Sequence, residues 1–348
     1  WSGATGIVLC TAPAFAQEAS EPADEGAITD IVVVAQKRAQ ILQDVPLAVS
    51  ALTGDELQSR GVSETSDLQG FVPSLQITTP YGRTQPNFAL RGVSVANEFS
   101  ASTASPVGVY VDEVYQSFRA SHGQQLYDLE RIEVLRGPQG TLYGRNTTGG
   151  AINVIMADPG DTIGGYAEIG YGRFDRKLVR GSVELPLGDS FAIKVSGCWQ
   201  DDDGYVKSVT TGERLNDDDS WGVRLGVKGE LAPWARWRAS YAHIVSKGEN
   251  TLNFTCNPAN PTDCKGRFST TGLRENPTSA TPFAPLVIQG RKASDGNGQE
   301  AATDLSTSNL AFDIADKTTL SLITGYVSLN QQFALDFFDG RGGPSVSV

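Results

Sequence analysis

Residues 135–155 read LRGPQGTLYGRNTTGGAINVI and hold five glycines: Gly137, Gly140, Gly144, Gly149 and Gly150. Glycine reaches positive φ at little cost and lets one backbone approach another closely. The run is entered through Ile132, Val134 and Leu135 and left through Ala151, Ile152, Val154 and Ile155, strand-like on both sides. A segment that turns this often between two strands is compact and packed; a loose linker has no need of the brackets.

Around this run, residues 44–158 divide into short mixed segments. Residues 46–52 read as a strand. Thr53-Gly54-Asp55-Glu56 opens a helix stopped by Gly61, and residues 65–71 read as a second helix ended by Pro73. Residues 88–95, which contain Arg91-Gly92, read as a strand, and 108–115 (GVYVDEVY) as a strand and turn. A further short element starts at Asp128 with acidic residues at its front. The expectation is a small α+β domain over 44–158.

After Asp158 the helical signals vanish and alternation takes over. Val179, Val183, Leu185 and Leu187 share one face, and Arg180, Ser182 and Glu184 the other. Trp221, Val223, Leu225 and Val227 oppose Arg224 and Lys228. About seven such strands fall between 163 and 338, with aromatics near their ends. Connections come in two sizes: 187–190, 232–234 and 315–317 are tight, while 201–220 and 247–304 are long and polar. A soluble β-sandwich also alternates. Charges at strand centres and short turns opposite long loops favour an antiparallel transmembrane β-barrel with a wet lumen.

Composition narrows the partners. The 348 residues carry a net charge of −12 and no block rich in lysine and arginine, which argues against nucleic acid. No apolar run reaches the 18 residues of a membrane-spanning helix, a test that barrel strands escape. Residues 1–16 read as the back half of a secretory signal, with Ala14-Phe15-Ala16 as the cleavage site. Residues 17–29, acidic and proline-bearing, read as a disordered tether. Cys256 and Cys264, eight apart in NFTCNPANPTDCKG, read as a disulfide in an oxidising compartment. A metal site is the rival, without a nearby histidine or C-x-x-C, and Cys198 is left over. The spacing of Gly144 and Gly149 suits a phosphate loop, but the lysine and hydroxyl residue are missing. Gly92-Val93-Ser94-Val95-Ala96 echoes a nucleophile elbow only loosely. The acidic runs 201–203 and 217–219 have the donor type for calcium, yet read as solvated loop ends.

The glycine-rich run resembles the plug signature of TonB-dependent outer-membrane receptors. DIVVVAQKR at 30–38, DVPLAVSALTGDELQ at 44–58, FALRGVS at 88–94 and VGVYVDEV at 107–114 support it. The resemblance implies a plug at 44–158 followed by the N-terminal part of an outer-membrane β-barrel at 159–348. Seven strands of an expected 22 would make the chain a fragment. It implies no enzyme, no cofactor and no metal, and a place in the outer membrane of a Gram-negative bacterium. Family members take up scarce nutrients, mostly ferric siderophores, driven through the periplasmic TonB protein by the proton gradient. Residues 17–43 become a periplasmic tether whose Asp30, Ile31, Val32, Val33, Val34 and Ala35 match the TonB box. Such a strand after a tether suits donation to a partner sheet. Arg91, Glu133 and Arg136 match charged positions that hold the plug in the barrel. Tyr81, Arg83, Gln85 and Asn97 fall in outward plug loops as candidate ligand contacts. A passive porin needs neither plug nor donor strand, and a secreted β-rich binding protein needs no lipid face.

Overall fold

A computed structural model describes residues 31–34, 37–38, 40–80, 83–95, 103–123, 125–209, 212–248, 254–269, 298–316, 318–335 and 346–347. The signal (1–16), the tether residues 17–29, and Asp30, Ala35, Tyr81 and Asn97 lie outside the described residues.

β1 (Val32–Val33) pairs antiparallel with β2 (Gln40–Ile41). β3 (Val49–Thr53) runs into α1 (Gly54–Ser59), where the Thr53 hydroxyl accepts the Glu56 N–H at 3.2 Å and caps the first turn. The second expected helix is a 3₁₀ turn, Thr65–Gly70. The Asp67 carboxylate accepts from the Ser63 and Glu64 N–H groups at 3.0 and 3.1 Å, which tightens the entry, and Gly70 and Pro73 leave no room for a further turn.

β4 (Leu75–Thr78) pairs with β5 (Asn87–Leu90). The strand expected over 88–95 ends at Leu90, because Arg91 (φ +53°) and Gly92 (φ +80°) turn the chain back. β6 (Val107–Val111) and β7 (Val114–Tyr115) form a hairpin, β8 (Leu129–Arg136) follows, and the glycine-rich run folds as α2 (Gly140–Tyr143) and β9 (Gly150–Met156). A Cβ on Gly150 would meet the Leu135 carbonyl oxygen at 2.3 Å, so β8 and β9 close only over glycine there. These strands form one sheet in the order β3-β8-β9-β6-β7, with β6 and β9 parallel. Leu52, Leu57, Leu68, Phe88, Leu90, Val107, Ile132, Val134, Ile152 and Val154 fill its core.

The rest of the chain is a wall. β10 (Gly164–Tyr171), β11 (Lys177–Leu187) and β12 (Phe191–Asp202) lead to a small loop sheet with β13 (Val206–Ser208) and β14 (Arg214–Leu215). β15 (Asp218–Ala232) and β16 (Ala235–Gly248) follow, then β17 (Phe268–Ser269), which joins the loop sheet. β18 (Gln299–Ala315), β19 (Thr318–Leu335) and β20 (Val346–Ser347) complete the series. The eight-stranded order is β10-β11-β12-β15-β16-β18-β19-β20, antiparallel throughout. Strands extend further into the long connections than their sequence suggests. Asp201 and Asp202 pair with Asp219 and Asp218 inside the ladder.

The wall inverts the burial of a soluble sheet. In β15, Asp218, Ser220, Gly222 and Arg224 are buried, while Asp219, Trp221, Val223 and Leu225 are exposed. In β11 the buried residues are Arg180 and Ser182, and Val179, Val183, Leu185 and Leu187 face out. Ile169 is 83% exposed and Leu320 57%. A soluble antiparallel sheet does the opposite, apolar in and polar out. Tyr171, Trp199 and Trp221 lie toward the long-loop end, and Trp234 and Phe312 at the short-turn end, as the aromatic girdles of a lipid-spanning wall require. The polar face packs on the small α+β unit. Contacts to that unit come from all seven long strands of the wall, β10, β11, β12, β15, β16, β18 and β19; a sheet seven strands wide, roughly 30 Å at ladder spacing, reaches a single small unit only by curving around it.

Leu225 pairs with Val195 in the middle of the apolar band. Leu225→Arg should weaken folding into lipid vesicles by about 2–4 kcal/mol, read by urea titration. A soluble sheet would tolerate an arginine at an exposed position.

Candidate functional site

The surface between unit and wall is built from charge and amide groups rather than hydrocarbon. Its deepest node is Asp128, whose backbone (φ +52°) aims the carboxylate outward from the start of β8. Lys194 of β12 meets it at 2.7 Å and Arg224 of β15 at 3.4 Å. Arg224 also reaches Asp112 at 3.5 Å and donates to the Ala157 carbonyl at 3.1 Å. Asp128, Lys194 and Arg224 are all buried. Two cations and two carboxylates balance, which is the condition for holding charge away from water.

A second node lies toward the long loops. Arg83 stands 3.3 Å from Glu64 of its own unit, 3.3 Å from Asp218 and 3.8 Å from Asp202 of the wall. Gln200 donates to Asp218 at 2.6 Å, and Arg176 of the wall donates to Ser63 at 2.7 Å and to Gln200 at 2.8 Å. Next to Arg83, Thr84 donates to Gln299 at 2.7 Å, and Gln85 accepts from Gln331 at 3.2 Å. One loop of the unit thus holds β12, β15, β18 and β19. Elsewhere Gln58 donates to Glu168 of β10 at 2.6 Å, and Arg180 of β11 reaches the Leu126 carbonyl at 3.4 Å. At the short-turn end, Lys228 pairs with Asp161 at 2.8 Å and Arg238 of β16 with Asp158 at 3.2 Å.

Among the buried groups of the unit that titrate off their ordinary values are Glu64 and His122. Burial pushes the Glu64 carboxyl up to about 7, with Arg83 pulling the other way. Burial pushes His122 down to about 4, opposed by its hydrogen bond to the Gln116 carbonyl. Neither shift is legible in sequence, since both come from packing.

The residues singled out in sequence take different places. Arg83 and Gln85, expected as outward ligand contacts, engage the wall. Arg91 is exposed and, among the described residues, forms no ion pair; its N–H donates to the Ser74 carbonyl at 3.1 Å. Arg136 forms no ion pair among the described residues, and its Nε is buried without a partner there. Glu133 is fully buried in the sheet and accepts from Val34 N–H and Arg131 Nε, both at 2.8 Å. It therefore binds the segment that carries Ile31, Val32, Val33 and Val34, not the wall. The acidic runs 201–203 and 217–219 come together across β12 and β15, but side-chain cations answer them: Arg83 reaches Asp202 and Asp218, and Lys177 reaches Asp201 at 3.5 Å. Among the described residues no group of three or more histidine, cysteine or acidic side chains is placed to hold a metal. Cys256 and Cys264 are joined in a disulfide, and Cys198 is buried and free. Sequence reasoning put Asp128 at the start of a short element and Lys194 on the polar face of a strand, but gave neither a site role. Lys194 did carry a signal, a charge on the polar face at the centre of an apolar strand.

The family model of the TonB-dependent receptor plug domain matches residues 41–151. The chain is 31% identical over 225 residues to the pesticin receptor of Yersinia pestis, covering 64% of this chain and 32% of that protein. It is 24% identical over 340 residues to the catecholate siderophore receptor Fiu of Escherichia coli, covering 88% and 41%. The crystal structure of the ferric yersiniabactin uptake receptor FyuA from Yersinia pestis superposes with a TM-score of 0.67 at 22% identity, over 83% of this chain and 42% of that one. The ferric-catecholate import receptor Fiu from E. coli K12 gives 0.63 at 18%, over 85% and 38%. At those identities the structures speak for the fold. The chain spans about a third of the length of the curated relatives it matches first.

Asp128→Ala leaves Lys194 and Arg224 buried without their shared partner. It should destabilise docking of the unit by about 3–5 kcal/mol, read as a loss of its cooperative denaturant transition. The two shifted groups give a pH signature. Glu64 binds a proton more readily folded than unfolded, so its contribution is present below about 4.5 and lost as pH rises through about 7. His122 binds it less readily, so its contribution grows from about 4 to 6.5. The two offset each other up to about pH 6.5; above it Glu64 alone of the pair still acts, and its share of the stability falls. Glu64→Gln should remove that decline in a thermal melt series from pH 6.5 to 8.

Proposed function

We propose that this chain, a stretch of a TonB-dependent receptor of the Gram-negative outer membrane, serves energised uptake of a scarce iron complex, with a ferric siderophore as the substrate class. The observation that carries the reading is the joint between unit and wall. Its fastenings are ion pairs and amide bonds between two polar faces, strong together and breakable one at a time. A permanent core would be apolar, as the unit's own interior is. Residues 44–158 act as the plug and the strands from 159 onward as the leading part of the barrel. The proteins named as a catecholate siderophore receptor and as ferric-yersiniabactin and ferric-catecholate receptors support iron complexes over other cargo.

In this reading ligand binds from outside, and the loop holding Arg83, Thr84 and Gln85 is the part of the plug that touches most of the wall. Asp30, Ile31, Val32, Val33, Val34 and Ala35 form the TonB box, and TonB, working from the periplasm on the proton gradient, pulls through it to loosen the plug. The chain's own residues hold, release and re-seat a stopper; no bond is made or broken in the cargo.

Deleting residues 30–35 from the full-length receptor should abolish uptake of radiolabelled ferric siderophore by energised, iron-starved cells while binding to the same cells persists. Uptake at the undeleted rate would refute the box assignment. A panel of siderophores in that assay identifies the cargo.

A further inference from the structure

The segment expected to meet TonB is not free in this structure; it is held at three points. Val33 is fully buried in a socket of Val45, Tyr110, Leu135, Tyr143 and Ala151. The Val34 N–H donates to Glu133 Oε1 at 2.8 Å, and that carboxylate is itself fully buried, balanced by Arg131 Nε at 2.8 Å. Lys37 pairs with Glu113 at 3.0 Å and sits 4.7 Å from the Tyr143 ring centroid.

Glu113 stands at a costly position. Asp112 and Glu113 are the two turn residues between β6 and β7, with φ of +46° and +69°. Such a two-residue turn favours glycine or asparagine, and a longer side chain there is strained. The side chain of Glu113 does what glycine would not: Oε2 takes Lys37 of the segment, and Oε1 accepts from Asn309 of β18 at 3.5 Å. Its neighbour Asp112 reaches Arg224 of β15. One tight turn therefore touches the segment and two strands of the wall. Beside it, a cavity of about 830 Å³ opens between Val34, Lys37, Arg38 and Glu113 on one side and the short-turn end of the wall on the other, so a detached segment has space to enter.

We propose that Glu133 and Glu113 form a two-carboxylate latch that keeps the segment docked and sets how often it is released. The proposal deepens the TonB-box reading and rests on it only for the identity of the partner. Glu133 is the stronger half, since a buried carboxylate on a backbone N–H is a charge-assisted bond. Glu113 is the weaker, an ion pair about a third exposed. A latch of one strong and one weak point releases reversibly, and the strained turn links its weaker point to the wall.

The labelling measurement needs neither TonB nor cargo. In the full-length receptor in isolated outer membranes, with Cys198→Ser as background, Val33→Cys places a thiol that reacts with a maleimide only when the segment detaches. Leu68→Cys in the plug core serves as the control for general loosening. Glu133→Gln should raise labelling at position 33 by about tenfold or more, and Glu113→Gly by about two- to fivefold, with position 68 unchanged. Unchanged labelling at position 33 in both variants overturns the latch. If Glu133→Gln loosens position 68 as well, Glu113→Gly decides: no rise at position 33 there also overturns it. Capture of the purified periplasmic domain of TonB by the same membranes separates the two readings. Faster labelling without greater capture upholds the latch and refutes the box.

Discussion

The wall buries its charges and presents its hydrocarbon, and the rest of the structure follows from that inversion. Lipid offers the outward residues of β11, β12 and β15 what a protein core would otherwise supply. The inward residues, Arg180, Lys194 and Arg224 among them, are then left facing a lumen, where bare burial would be ruinous. They need either water or a partner carrying the opposite charge. The α+β unit supplies the partner: Asp112 and Asp128 reach inward-facing cations, and Arg83 reaches the wall's Asp202 and Asp218.

This explains how one molecule contains both a firm core and a joint that can open. Inside the unit, Leu68, Phe88, Leu90, Ile132 and Ile152 pack as in any small domain, and separating them would expose hydrocarbon to water. Between unit and wall, water entering a parted ion pair hydrates both halves. The balance differs along the joint. Around Asp128 the charges are deeply buried and costly to part, whereas Arg238–Asp158 at the short-turn end is well exposed and weak. The weaker fastening therefore lies at the short-turn end, the end nearest Val34 and Lys37.

Much of the architecture was legible in the sequence because its determinants are local. Period-two alternation gave the seven long strands, and the contrast between tight and polar connections gave the two ends of the wall. Local signals also set the limits of that reading. Nothing in FALRGVS announces that Arg91 takes a positive φ and ends the strand, and Asp67 turns an expected helix into 3₁₀ by capping two N–H groups. The joint was far less legible, since its pairs join residues distant in the chain. Arg83 and Asp218 are 135 positions apart, and Val34 and Glu133 are 99. Glu133 could be read as a functional charge within its motif, but which partner it holds depends on where β1 docks. The acidic runs at 201–203 and 217–219 looked like solvated loop ends until strand register set them opposite one another, in reach of Arg83.

The most direct measurement fastens the joint covalently. Thr84 and Gln299 touch across it, side chain to side chain. With both replaced by cysteine in the full-length receptor and oxidised, a stopper that must shift to pass cargo predicts normal binding of ferric siderophore, loss of energised uptake, and recovery on reduction. Uptake at the native rate with the cross-link intact would contradict it.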